Sequence, residues 1–147
     1  MKKVTMMDIA IKANVSKTTV SMVINNRDAN ISEETKQRIL KIAKELNYIP
    51  NSVARSLSTK KSQTIGIILP DITNPFFSEM ARAIEDSANN LGYNVIFCNT
   101  DNGEAKEEKY TKLLVSKLVD GVIFISGGES DKSINILRNN NIPFVVV

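Results

Sequence analysis

The chain has 147 residues, 42% apolar and 24% charged, an ordinary globular composition with room for one average domain or two small ones. Histidine is absent and Cys98 is the single cysteine, which excludes an intramolecular disulfide, a histidine triad or general base, and zinc sites of His and Cys. The net charge of +3 hides an asymmetry: residues 1–63 hold 12 Lys/Arg against 5 Asp/Glu, whereas residues 64–147 hold 7 against 11.

A basic segment beside an acidic remainder suggests a polyanion-binding module joined to a part with another task. No apolar stretch approaches the roughly 18 residues of a spanning helix. The start, Met1–Asp8, has no apolar run after Lys2 and Lys3, so no secretory signal is expected and the predicted compartment is the cytoplasm.

The first half carries helical periodicity. Thr5 followed by Asp8 is a capping-box start, and Met6, Ile9, Ala10 and Ala13 recur at helical spacing. Asn14-Val15-Ser16 reads as a turn, since Asn tolerates the left-handed conformation and Ser16 can cap the next helix. That helix puts Val20, Val23 and Ile24 on one face and stops at Asn25-Asn26. Ser32 is predicted to cap a third helix, with Glu33 and Glu34 in its first turn, a stripe of Ile39, Ile42, Ala43 and Leu46, and Asn47 as C-cap. A short helix is expected after Pro50, and Ser58–Gln63 reads as a polar linker.

The second half changes period. Apolar runs at 65–69, 95–98, 122–125 and 144–147 alternate with helical stretches at about 76–91, 104–118 and 130–140. That alternation predicts right-handed βαβ units and a doubly wound parallel sheet covered on both faces.

Two short helices joined by a three-residue turn, with a third packed against them, form a helix-turn-helix candidate. The second begins Ser16-Lys17-Thr18-Thr19-Val20-Ser21-Met22, and its non-core positions are small, polar or basic. Such a face suits a major groove, where hydroxyls reach phosphates and Lys reaches base acceptors. The pattern alone leaves open a structural three-helix bundle with solvated faces.

The runs Val4–Ala10, Ala13–Ser21, Leu46–Asn51 and Ala54–Leu57 resemble the LacI/GalR family of bacterial transcription regulators, and the resemblance continues through the βα half. It implies an all-α helix-turn-helix domain at residues 1–50 and a hinge helix with linker at 51–63. A partial α/β doubly wound, periplasmic-binding-protein-like domain would follow at 64–147. It further implies that Lys17 and Thr18 face base edges, while Thr5, Ser16, Thr19, Ser21, Asn25 and Ser32 contact phosphates. Met22 stands where many relatives carry an Arg, which implies an apolar contact there. Tyr48 and Asn51 would lie on the DNA backbone near the hinge. Residues 51–58 would become a helix on operator, Val53 and Ala54 packing across a dyad and Leu57 wedging into the minor groove. An isolated helix this short is marginal, in keeping with folding on DNA. The implied partners are palindromic operator DNA, a second copy of the chain and, in the full-length form, a small sugar or sugar-phosphate effector; no membrane, cofactor or metal is implied.

In an open parallel sheet, ligands bind outside the carboxyl ends of the strands. Those ends are Leu69–Phe77, Asn99–Asp101 and Ser126–Gly128. Asn74-Pro75-Phe76-Phe77 pairs an amide, able to hold hydroxyls, with rings able to cover a sugar's CH face. Asp71, Asn74, Phe76, Phe77 and Ser126 are therefore the predicted effector residues, although the rings could instead staple the helix start into the core. The sequence stops at Val147, before the second lobe that the family resemblance implies, so it reads as a fragment or a truncated gene product, with effector affinity expected to be poor or absent. The predicted function is a sequence-specific DNA-binding regulator, acting as a repressor, of carbohydrate genes. The alternative is a sugar-binding module without DNA function. An enzyme is not expected, since GxGxxG and GxxxxGK are both absent.

Overall fold

Three helices of the first unit start on a hydroxyl and end on an asparagine. The computed structural model describes residues 2–27, 30–125 and 130–147, and the chain divides into compact units at Met1–Asn51 and Ser52–Val147. Helices α1 (Met6–Ala13), α2 (Lys17–Ile24) and α3 (Glu33–Glu45) take Thr5, Ser16 and Ser32 as N-caps, each side chain accepting from the backbone N–H three residues on. Beyond their other ends, Asn14, Asn26 and Asn47 adopt left-handed φ of 54°, 53° and 51°. The N–H that follows each asparagine then closes back onto the last helical turn: Val15 to Ala10 O, Arg27 to Met22 O and Tyr48 to Ala43 O. This closure satisfies carbonyls that a helix end would otherwise leave free. The cap of α3 is Leu46, one residue before the Asn47 that the sequence suggested, and the left-handed asparagine follows the cap. Ile9, Ala10, Ala13, Val20, Val23, Ile39, Ile42 and Ala43 form the core of this unit.

The second unit runs α4 (Ser52–Thr59), β1 (Thr64–Leu69), α5 (Pro75–Asn90), β2 (Asn94–Asn99), α6 (Glu104–Ser116), β3 (Gly121–Phe124), α7 (Asp131–Asn139) and β4 (Phe144–Val146). Ser58 and Thr59, expected in the linker, are the last turn of α4. The four strands are parallel in the order β2-β1-β3-β4. Alternate residues of β1 feed two cores. Ile67 and Leu69 pack with Ala81 of α5, whereas Ile68 packs with Leu114 of α6 and Leu137 of α7. Gly66 lets α6 approach this closely, since a Cβ there would collide with both methyls of the buried Leu114.

Helices lie on both faces of the sheet, as the apolar runs predict, but the edges stay partly open on each: Val146, on the α6–α7 face, is 44% exposed. Phe97 on edge strand β2 and Val145 on β4 share the α5 face and are 45% and 55% exposed. One helix, about 10 Å across, cannot span four strands spaced about 4.8 Å apart. Among the described residues, no helix is long and apolar enough to cross a membrane.

Candidate nucleic-acid interface and effector cleft

Helix α2 shows two distinct sides. Val20 and Val23 are buried in the unit's core, while Lys17, Thr18 and Met22 are exposed and Ser21 and Asn25 half-buried. The offsets 17, 18, 21, 22 and 25 form one continuous stripe at helical spacing. The Ser16 Oγ accepts from the Thr19 N–H at 3.1 Å and lies 2.8 Å from the Thr19 hydroxyl, fixing the first turn. Asn25 Nδ2 donates to the Ser21 carbonyl and hydroxyl at 3.0 and 3.3 Å, fixing the last.

The other predicted phosphate residues have local work as well. Thr5 donates its N–H and its hydroxyl to the Asp8 carboxylate, which holds that carboxyl below the usual range. Ser32 donates to the Thr35 hydroxyl at 2.9 Å. All three caps nevertheless stand at helix amino termini, whose N–H groups and dipole favour anions. Tyr48 is half-buried against the first core, and burial raises its phenol. Asn51 and Ala54 are exposed. On α4, Ser56 is buried and donates to the Val53 carbonyl at 2.8 Å, while Leu57 is 67% exposed.

In the second unit, a cleft of about 530 Å³ opens outside the carboxyl ends of β1, β2 and β3. Strand order reverses direction across β1, the position where doubly wound sheets place ligands. The lining includes Pro70, Thr100, Asn102, Glu104, Glu107, Ser130 and Lys132. Sequence reasoning anticipated Pro70 and Thr100 and missed the other five. Glu107 is 8% exposed, and its Oε1 accepts from the Ser130 N–H at 2.8 Å. Its only sequence signal was helical spacing to the buried Thr111 and Leu114, where a charged residue reads as solvated. Lys132 sits 3.6 Å from Glu104.

Asp71 and Asn74 lie on the β1–α5 turn and Phe76 and Phe77 in the first turn of α5, and none of the four lines this cleft. Asp71 accepts from the Thr73 N–H at 2.9 Å and hydroxyl at 2.6 Å, which lowers its pKa. Asn74 caps α5, its Oδ1 accepting from the Phe76 N–H at 3.0 Å. Phe77 packs with the core beside α5, whereas Phe76 is 62% exposed and meets it edge-on at 5.3 Å. One ring staples and the other is presented to solvent. Ser126 lies outside the described residues. Cys98 is buried, and desolvation pushes its thiol up to about 11, the behaviour of a core residue and not of a nucleophile. Among the described residues, no cluster of acidic or cysteine side chains could hold a metal ion.

Residues 5–51 match the bacterial regulatory proteins of the lacI family, and residues 62–147 match the periplasmic binding proteins and sugar binding domain of the LacI family. The HTH-type transcriptional regulator RegA of Clostridium acetobutylicum is 46% identical over 140 residues, 95% of this chain and 42% of that protein. Catabolite control protein A of Staphylococcus xylosus is 41% identical over 143 residues, 97% of this chain and 43% of that protein. A crystal structure of the lac repressor dimer bound to operator and the anti-inducer ONPF superposes with a TM-score of 0.86 at 30% identity, over 99% of this chain and 44% of that one. The chain thus spans less than half the length of the curated relatives it matches.

Proposed function

Because the chain belongs to the LacI family of bacterial regulatory proteins, we propose that it binds operator DNA sequence-specifically and represses carbohydrate genes. The observation that carries this reading is the stripe on α2. Its buried valines anchor the helix, and Lys17 and Thr18 stand free of the core at its capped amino end. Lys17 donates to base acceptors, Thr18 contacts base edges and Met22 meets an apolar edge such as a thymine methyl. Thr5, Ser16, Thr19, Ser21, Asn25 and Ser32, with Tyr48 and Asn51 near the hinge, set the register on phosphates.

Two copies read the halves of a palindrome, and paired α4 helices meet across the dyad through Val53 and Ala54. Leu57 enters a central base step from the minor groove, and the cost of unstacking is offset by the larger protein surface that bent DNA can wrap. Pyrimidine–purine steps are favoured at the centre because they kink readily. The α/β unit holds a sugar or sugar-phosphate effector at the strand ends, with Asp71, Asn74, Phe76 and Ser126 contributing, and needs a second lobe to enclose it. A protein with this task acts in the bacterial cytoplasm, where the chromosome lies.

Selection from a duplex library randomised on both sides of a dyad tests the reading. Enrichment of one palindromic motif, with affinity falling steeply as salt rises, is the expected result. Equal retention of all sequences, or no retention, would overturn it.

A further inference from the structure

A single carboxylate holds the chain between α4 and β1. Asp120 Oδ1 accepts from the Ser62 N–H at 2.8 Å and the Ser62 hydroxyl at 3.2 Å, and Oδ2 accepts from the Gln63 N–H at 2.9 Å. The Asp120 N–H in turn donates to the Thr64 carbonyl at 2.8 Å. The residue just ahead of β3 thereby grips the residues just ahead of β1, 58 positions earlier in the chain at Ser62. Gln63 is left-handed, with φ 52°. Consecutive N–H groups in such a conformation form a concave donor pair suited to an anion, and here the anion is the protein's own.

The grip continues into α4. The Gln63 side-chain carbonyl accepts from Arg55 Nη2 at 3.1 Å. Thr59 Oγ1 donates to the Arg55 carbonyl at 3.0 Å and accepts from the Lys61 N–H at 3.3 Å. Lys60 between them is left-handed at φ 55°. The route from the sheet to the helix is therefore bonded at each step. The far ends of the same two strands, at Leu69 and Phe124, line the cleft.

We propose that Asp120 is a positioning residue for operator binding: it clamps the root of the hinge helix to the β1–β3 pair, so that the sheet carrying the effector cleft sets the direction in which α4 leaves it. The proposal rests on the reading of α4 as a DNA-contacting hinge. Charge-assisted bonds to two N–H groups are directional and stronger than neutral ones, which gives the clamp stiffness that a plain loop lacks. A shift of β3 against β1 at the cleft would move both ends of the clamp, and with them α4.

Amide exchange and duplex affinity, measured on the full chain with Asp120→Ala and Asp120→Asn, test the clamp. In Asp120→Ala the amides of 60–63 and α4 should exchange about tenfold faster or more, while those of β1 and β3 stay within about threefold. Affinity for the operator selected by the parent chain should fall about tenfold, as expected for loss of charge-assisted bonds worth ~1.4 kcal/mol, with unrelated duplex affected within about twofold. Asp120→Asn, which retains one acceptor, should fall between. Exchange rising equally through the sheet, or an unchanged ratio of specific to unrelated binding, would overturn the proposal. Should the parent select no operator, the hinge reading fails by itself. Loss of protection confined to 60–63 and α4 would then still support the clamp, and its absence would refute it.

Discussion

Helices α2 and α4 are each eight residues long, and the structure supports them in opposite ways. In α2, Val20 and Val23 are buried, Ser16 closes the amino end and the left-handed Asn26 closes the other. In α4 the one buried side chain is Ser56, while Val53 and Leu57 are 64% and 67% exposed. An isolated eight-residue helix is marginal in water, so burial decides whether it persists. The exposed stripe of α2 is thus set by the packing of its own unit. Helix α4 is tethered through Arg55 and Gln63 and exposes the apolar side chains of Val53 and Leu57.

The largest expected effect comes from removing the support of α2. Ile39→Ala empties a fully buried position of the first core and should cost that unit about 2–5 kcal/mol. Amide exchange should quicken throughout residues 5–48 while the sheet keeps its protection, and DNA binding should go with the first unit. Gly66→Ala is the converse, since its methyl meets Leu114 and should destabilise the sheet unit by about 1–3 kcal/mol through overpacking. Its effect should appear in the β1 and α6 amides and leave those of α2 untouched. Leu57→Ala should change the melting temperature little, because exposed substitutions usually stay within about 0.5 kcal/mol. It should nevertheless reduce operator bending in circular-permutation gel shifts; an unchanged bend would remove the wedge from the account. The smallest effect concerns Asp8, whose carboxyl is lowered by the Thr5 backbone and hydroxyl bonds. A depressed folded pKa means that its contribution is complete above the ordinary carboxylate value and lost as pH falls through the folded one. Protection of the first turn of α1 should decline over that acid window, and Asp8→Asn should abolish the dependence.

The first unit was legible because its signals are local. Each N-cap hydroxyl lies three residues before the N–H that it accepts, and each left-handed asparagine closely follows its helix. The strands were legible for a related reason, since β1 is nearly buried on both faces and reads as unbroken Ile and Leu around Gly66. The exposed faces of β2 and β4 were not, because an apolar run does not say how wide the covering layer is. Glu107 and Asp120 escaped for another reason: a carboxylate is read as solvated until a partner distant in sequence, Ser130 for one and Ser62 with Gln63 for the other, is brought to it by the fold. Leu69–Phe77 marked the carboxyl end of β1, but not that Asp71 and Asn74 already hold the turn and cap α5.

The central claim is that the exposed stripe of α2 reads bases. Its most direct test compares the base preferences of the parent chain with those of the Lys17→Ala/Thr18→Ala double variant, using the same randomised duplexes. Both side chains are exposed and outside the core, so the fold should be retained. The account predicts altered preference at one or two positions per half-site, by about 1–3 kcal/mol each, with the remaining positions unchanged. A profile identical to that of the parent would show that another surface lies in the groove.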